Sequence, residues 1–384
     1  MFKKYLGCAV IDNHGKEGHL MDFKLTEEQV LIQQSMKDFL SEQPQMTVNE
    51  ILKSLAEIDF LGIFFGEEVG GAGGDFTSYL LALEEVAKFS PSAALAYAIN
   101  ITQVAYALNV FGTSELKEKY LTNLFKGQAF GAYAYSEQGV TEELLAIDTT
   151  VEKGQNGYVL NGTKTFVLNG AEANFYVVYA KGESGLSAFI VNADSQGISF
   201  GPAYVKMGLD EIPAYTMTLE NVTVPFENLL GEEGKAEAIV QQISDVHNIS
   251  FAAIAVAISE SAMEQSIDYG KERIQFKVPV ITFEALREKI GNMATNIEAA
   301  RLMTYKAAAN KDSNEIFAEE AKMAKYLAVK TGEENVREAL QIHGGYGYTK
   351  DLGVERLFRA MKGLNVIEPI EKPLVISIAD EKIS

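Results

Sequence analysis

Residues 158–181 read YVLNGTKTFVLNGAEANFYVVYAK. Apolar and polar residues alternate with a period of two, and β-branched and aromatic types are frequent. That is the pattern of half-buried strands. Asn161–Gly162 sits between two such runs, and Asn-Gly there predicts a tight hairpin turn. LSAFIV (186–191) and TMTLENVTVP (216–225) follow at strand length. The middle of the chain, about 131–235, therefore reads as a small, mostly antiparallel β domain.

Outward from that centre the period changes. From Met21 to about residue 130 the chain reads as helix, and Thr26 with Gln29 forms a T-x-x-Q capping box. The glycine-rich GEEVGGAGGD (66–75) lacks the Lys-Ser/Thr ending of a phosphate loop, and it reads as a turn between helices. From about 236 the text is helical again. Leu286, Ile290, Met293 and Ile297 recur at spacings of 4, 3 and 4, as do Phe317, Ala321, Ala324 and Ala328, which gives each helix one apolar stripe. The expected fold class is α+β, mostly α. Residues 1–20 form an N-terminal extension, 21–130 a helical domain, 131–235 the β domain, and 236–384 a C-terminal helical bundle.

The bulk numbers exclude several functions. A formal net charge of −20 over 384 residues leaves no cationic surplus for nucleic acid or for an anionic membrane surface. The single cysteine, Cys8, cannot form an intramolecular disulfide, which fits a reducing, cytoplasmic setting. With four histidines beside it, no metal site is expected. The charge-free run 90–114 has the length of a membrane span. Asn100, Gln103 and Asn109 interrupt it, and a buried helix is expected instead. Residues 1–20 lack the apolar core of a signal peptide.

Four stretches carry a more specific signal: LNGTKTFVLNGAEANFYVVYAK (160–181), VPFENLLGEEG (224–234), YGKERIQFKVPVITFEALREKIGNMATNIEAARLMTY (269–305) and QIHGGYGYTKDLGVERLFRAMK (341–362). In this order they resemble the acyl-CoA dehydrogenase family of flavoproteins. The resemblance runs from Met21 to about Ala379. It implies a helical N-terminal domain, a central antiparallel β domain and a C-terminal four-helix bundle, assembled as a homotetramer or homodimer. It also implies FAD, an acyl thioester substrate carried on CoA or an acyl-carrier protein, and an electron-transfer flavoprotein as acceptor. The implied reaction is α,β-dehydrogenation. A thioester-binding or structural paralogue that has lost FAD or catalysis is the alternative.

Removing an α proton from a thioester needs a carboxylate base, commonly one whose pKa burial has raised toward neutrality. Counted from Arg359, the family's base position falls on Glu368, in NVIEPIEKP (365–373). The family's Glu-Gly-Thr is here Glu368-Pro369-Ile370. An alternative base position, in SDVHNI (244–249), falls on His247, with Asp245 and Asn248 in the substrate-contacting region and Asn248 in place of an arginine. The resemblance assigns Tyr135, Ser136, Phe166 and Leu168 to the flavin ring, and Leu168 replaces a hydroxyl residue. It assigns Arg273, Phe276, Gln341, Gly344 and Gly345 to the pyrophosphate and adenylate, reached from a neighbouring subunit. Lys277 stands for the usual glycine, Glu142 for a residue near the CoA side, and Asp210 inverts a charge in the KMG segment.

Overall fold

A computed structural model describes residues 24–44, 46–138, 147–368 and 372–383. The capping box opens the first helix, α1 (Glu27–Ser41): the Thr26 hydroxyl accepts from Gln29 N, and the Gln29 side chain accepts from Thr26 N. Thr47 and Glu50 repeat the device at α2 (Val48–Glu57). The glycine-rich segment is the turn that leads to α3 (Phe76–Phe89). The α3 N-terminus is capped twice. Asp75 accepts from Ser78 N at 2.6 Å, and the distant Asp312 accepts from Phe76 N at 2.7 Å and Thr77 N at 3.0 Å. Two acidic caps satisfy donors that a helix start would otherwise leave unpaired.

The charge-free run is one continuous helix, Pro91–Phe111, made of α4 (Pro91–Ala98) and α5 (Tyr106–Phe111) joined by a π-helical stretch, Ile99–Ala105. It is packed inside the protein. The short α6 (Ser114–Leu116) and α7 (Thr122–Phe125) complete the helical region.

The β domain is an eight-stranded sheet: β1 (Gly131–Ala134), β2 (Thr150–Lys153), β3 (Tyr158–Leu168), β4 (Phe175–Gly182), β5 (Gly185–Asn192), β6 (Ile198–Phe200), β7 (Ala214–Val224) and β8 (Leu229–Leu230). Its order is β6-β7-β3-β2-β4-β5-β8, with β1 added parallel to β4. Most pairs are antiparallel, as expected.

The turn at Asn161–Gly162 is a correction. Both residues lie inside β3, which pairs with β2 on one side and β7 on the other. The β2–β3 turn comes earlier, at 154–157, and is closed by Gly154 N to Gly157 O at 2.8 Å. Gly162 is needed for close approach, since a Cβ there would lie 2.4 Å from Thr149 Oγ1. Asn161 Oδ1 accepts Asn221 N across a register shift. The dipeptide therefore marks a bulge, where an extra residue breaks the ladder.

The C-terminal region packs α8 (Ala236–Glu272), α9 (Glu284–Asp312), α10 (Ala318–His343) and α11 (Val354–Ile367) as a four-helix bundle. A two-residue hairpin, β9 (Ile274–Gln275) and β10 (Val278–Pro279), follows α8, and α12 (Lys372–Ile383) lies against α10. Met293, Ile297, Ala321, Ala324 and Ala328 of the two stripes are buried.

Candidate active site

The bundle, the π stretch, and strands β1 and β3 meet around a cavity of about 310 Å³. Glu368 is the C-cap of α11, and its N–H donates to Leu364 O at 3.0 Å. Its side chain lines the cavity and is 24% exposed. One carboxylate oxygen, Oε2, lies 2.5 Å from Lys325 Nζ of α10. The other, Oε1, lies 2.9 Å from His247 Nε2 of α8. Burial raises the carboxyl's pKa, but the Lys325 and His247 charges outweigh it and hold the group well below the usual carboxylate range. The expectation of a raised pKa is thereby overturned. Lys325 and His247, neither of them read from the sequence as a partner of Glu368, reverse the effect of burial.

His247 is 2% exposed, and its Nδ1 stands 2.8 Å from Thr102 Oγ1 in the π stretch. Thr102 Oγ1 also donates to Ala98 O at 2.7 Å. Asp245 and Asn248 share the cavity wall, and Asp245 accepts from Gln241 at 3.0 Å. The SDVHNI segment thus faces Glu368 because 245, 247 and 248 fall on the inward side of α8.

Tyr135, Ser136, Phe166 and Leu168 line the same cavity. Thr165 N donates to Ser136 O at 2.8 Å, which ties β3 to the end of β1. Next to it the β3–β7 register shifts between Lys164 and Val167, and Phe166 has φ +56°. A positive φ on an aromatic residue is strained, and strain of this kind collects at ligand sites. The bulge aims the Phe166 ring toward Tyr204, 5.3 Å away. Beneath it Lys164 Nζ, fully buried, lies 2.6 Å from Glu137 Oε1. Burial pulls the lysine down to about 8, against the pull of Glu137. Glu137 also accepts from Thr149 Oγ1 at 2.5 Å, which fastens β2 to the same anchor.

Arg273, Phe276, Gly344 and Gly345 come together elsewhere, in a groove of about 590 Å³ that shares no lining residue with the first cavity. Arg273 is the C-cap of α8, and Phe276, 88% exposed, starts the turn of the β9–β10 hairpin. A Cβ on Gly344 or Gly345 would meet nothing within 4 Å, so their backbone is open to a ligand. Gln341 is not in this group; it lines an adjoining groove that also touches Gly344. Glu142, Pro369 and Ile370 lie outside the described residues.

The whole length of this arrangement has counterparts among known proteins. Sequence profiles of the acyl-CoA dehydrogenase N-terminal, middle and C-terminal domains match residues 26–128, 132–222 and 238–368. The chain belongs to the acyl-CoA dehydrogenase family. It is 35% identical to a short-chain specific acyl-CoA dehydrogenase of Clostridium acetobutylicum, over 91% of this chain and 96% of that one. It is 36% identical to the caffeyl-CoA reductase-Etf complex subunit CarC of Acetobacterium woodii, over 83% and 86%. Among solved structures, butyryl-CoA dehydrogenase from Megasphaera elsdenii superposes with a TM-score of 0.90 at 32% identity, covering 95% of this chain and all of that one. As a family member this protein is an oxidoreductase.

Sequence reasoning missed Lys325 and Thr102. Lys325 stands next to a buried alanine of the α10 stripe, and periodicity names that core face without saying what its flank adjoins. Thr102 lies where the helix departs from 3.6 residues per turn, so a face count from α4 does not place it.

Proposed function

We propose that this acyl-CoA dehydrogenase family member catalyses FAD-dependent α,β-dehydrogenation of an acyl-CoA, with Glu368 taking the α proton. The observation that carries the reading is the position of that carboxylate. It shares one cavity with Tyr135, Phe166 and Leu168, which offer a flat aromatic and aliphatic wall. The residues fit a flavin dinucleotide. The Tyr135–Phe166 wall suits the ring, Ser136 brings a hydroxyl, and the Arg273 groove brings a guanidinium and open glycine backbone for the phosphates and adenylate. Leu168 brings no hydroxyl, so one hydrogen bond to the ring is missing. When bound, the flavin supplies a two-electron acceptor for the hydride from the β carbon.

The ring wall and the phosphate groove belong to separate depressions of one chain, which supports a homo-oligomer in which each dinucleotide touches two subunits. The likeness to an Etf-complex subunit supports an electron-transfer flavoprotein as redox partner. A single cysteine and a strongly acidic surface support a cytoplasmic location.

The test is spectroscopic. Purified protein carries a stoichiometric yellow flavin, and acyl-CoA bleaches it, more effectively than the matching acyl-carrier protein thioester. Glu368→Gln keeps the flavin and loses bleaching by roughly 10²-fold or more, the scale of a general base. Full bleaching by that variant removes Glu368 from the role. Colourless protein that cannot be reconstituted with FAD removes the reading.

A further inference from the structure

We infer that Lys325 is the positioning residue of this site, holding the Glu368 carboxylate on the cavity wall through a direct ion pair. The inference rests on the reading of Glu368 as the base. The lysine is itself held. Its side chain is 8% exposed, and its ammonium lies 4.8 Å from the centre of the Phe251 ring, a cation–π distance. Phe251 stands one turn after His247 on α8, with the two ring centres 5.9 Å apart. One helix thus carries both His247 and the ring that receives Lys325, and Glu368 arrives from α11 between them. His247 Nε2 has no well-aligned acceptor although Glu368 Oε1 is 2.9 Å away, whereas the Lys325 contact is aligned and shorter. Lys325 is therefore the dominant partner.

The other charged or titratable groups on this cavity are Lys322 of α10, Asp245 of α8, Tyr133 of β1 and Tyr135 just after it; α4 presents only Leu95, and the π stretch Ile99 and Gln103. Tyr133 stays un-ionised, since burial among tyrosines raises it well above its ordinary value. Lys325 and His247 are thus the groups that set the ionisation of Glu368. Without the lysine, burial dominates and the carboxyl takes up its proton at higher pH.

The experiment uses the full chain with Lys325→Gln, Lys325→Arg and the double variant Lys325→Gln/Glu368→Gln. Thermal unfolding of the flavin-free protein is followed from pH 7 to pH 5. In the wild type Glu368 is ionised throughout, so its contribution is constant across this range and is lost only below the unfolded carboxylate pKa. In Lys325→Gln the folded pKa lies above the unfolded one, so the variant gains stability relative to wild type on acidification. Arg restores the wild-type profile, and the double variant, with no carboxylate, follows the wild type as well. In turnover, Lys325→Gln moves the acidic limb of kcat/KM upward by about one pH unit or more, the size expected for a coupled pair. An unmoved limb together with a wild-type unfolding profile overturns the inference. If Lys325→Gln does not fold, a double variant that folds with the wild-type pH profile upholds the pair, and one that also fails to fold overturns it. The unfolding series needs no turnover. Its success alongside a wild type that fails to bleach condemns the function reading and not this one.

Discussion

Arg359 Nη1 lies 2.8 Å from Asp210 Oδ2 and 3.0 Å from Met207 O, which ties the segment before β7 to the helix that ends at Glu368. The charge at 210 that looked inverted in the sequence meets a cation nine residues before the proposed base. Gly208 fits in the same contact, where a Cβ would lie 2.3 Å from Arg359 O. The backbone approach and the ion pair act on the same seam, and their weights differ. Asp210 is 58% exposed, so Asp210→Asn costs about 0–1 kcal/mol. Gly208→Ala must push two backbones apart and costs about 1–3 kcal/mol. Urea unfolding of the two variants checks the order; equal losses contradict it.

The cross-chain cap of α3 is a second target. Asp312 binds Phe76 N, Thr77 N and Thr77 Oγ1, and it joins the end of α9 to the start of α3. Asp312→Ala is expected to lower stability by about 1–2 kcal/mol, the upper range for a helix cap. Because Asp75 still caps Ser78, α3 itself persists. Denaturant unfolding with retained helical circular dichroism is the expected pair of results.

Lys277 has φ +68° and follows Phe276 at φ +50°, in the two-residue turn of the β9–β10 hairpin. Such turns favour glycine, and a lysine is strained there. Lys277→Gly is expected to stabilise the folded chain by about 0.5–1 kcal/mol, after allowing for glycine's extra freedom when unfolded. A lower melting temperature in that variant disproves the strain.

Glu84 gives a pH signature. It is 2% exposed, one of its oxygens has no partner, and Arg301 stands 3.6 Å from the other. Burial pushes its pKa up to about 7, against the pull of Arg301. The folded state then binds a proton that the unfolded state has released between about pH 4.5 and 7, so this group's contribution falls as pH rises through that window. Glu84→Gln removes the dependence. Its stability relative to wild type should improve by on the order of 2 kcal/mol from pH 4.5 to 7, read as unfolding midpoints across pH.

The alternation around residues 158–191 led to the right β strands, and the stripes on α9 and α10 led to the right core faces, because burial imposes both periods directly. The Asn-Gly signal misled. Two such dipeptides stand five residues apart, and local composition does not say which one turns the chain and which lets Thr149 come close. At the site, the position of Glu368 was readable from its motif but its electrostatics were not. Lys325 and His247 are 43 and 121 residues away in the chain, and only helix packing brings them to one carboxylate. Gln341 shares a groove with Gly344, next to the one that Arg273 lines.

The π stretch at Ile99–Ala105 stores an angular offset in the backbone. Each residue of a regular helix advances about 100°, so deleting one residue there swings everything upstream or downstream by about that much. Gln103 would rotate away from the cavity and Thr102 from His247, and the ring would lose its oxygen neighbour while every side chain named in the site remained in the chain. Lineages that share every site residue but differ by one position in this helix would then differ in the handling of the proton, a phase change that a residue-by-residue comparison of the site does not register.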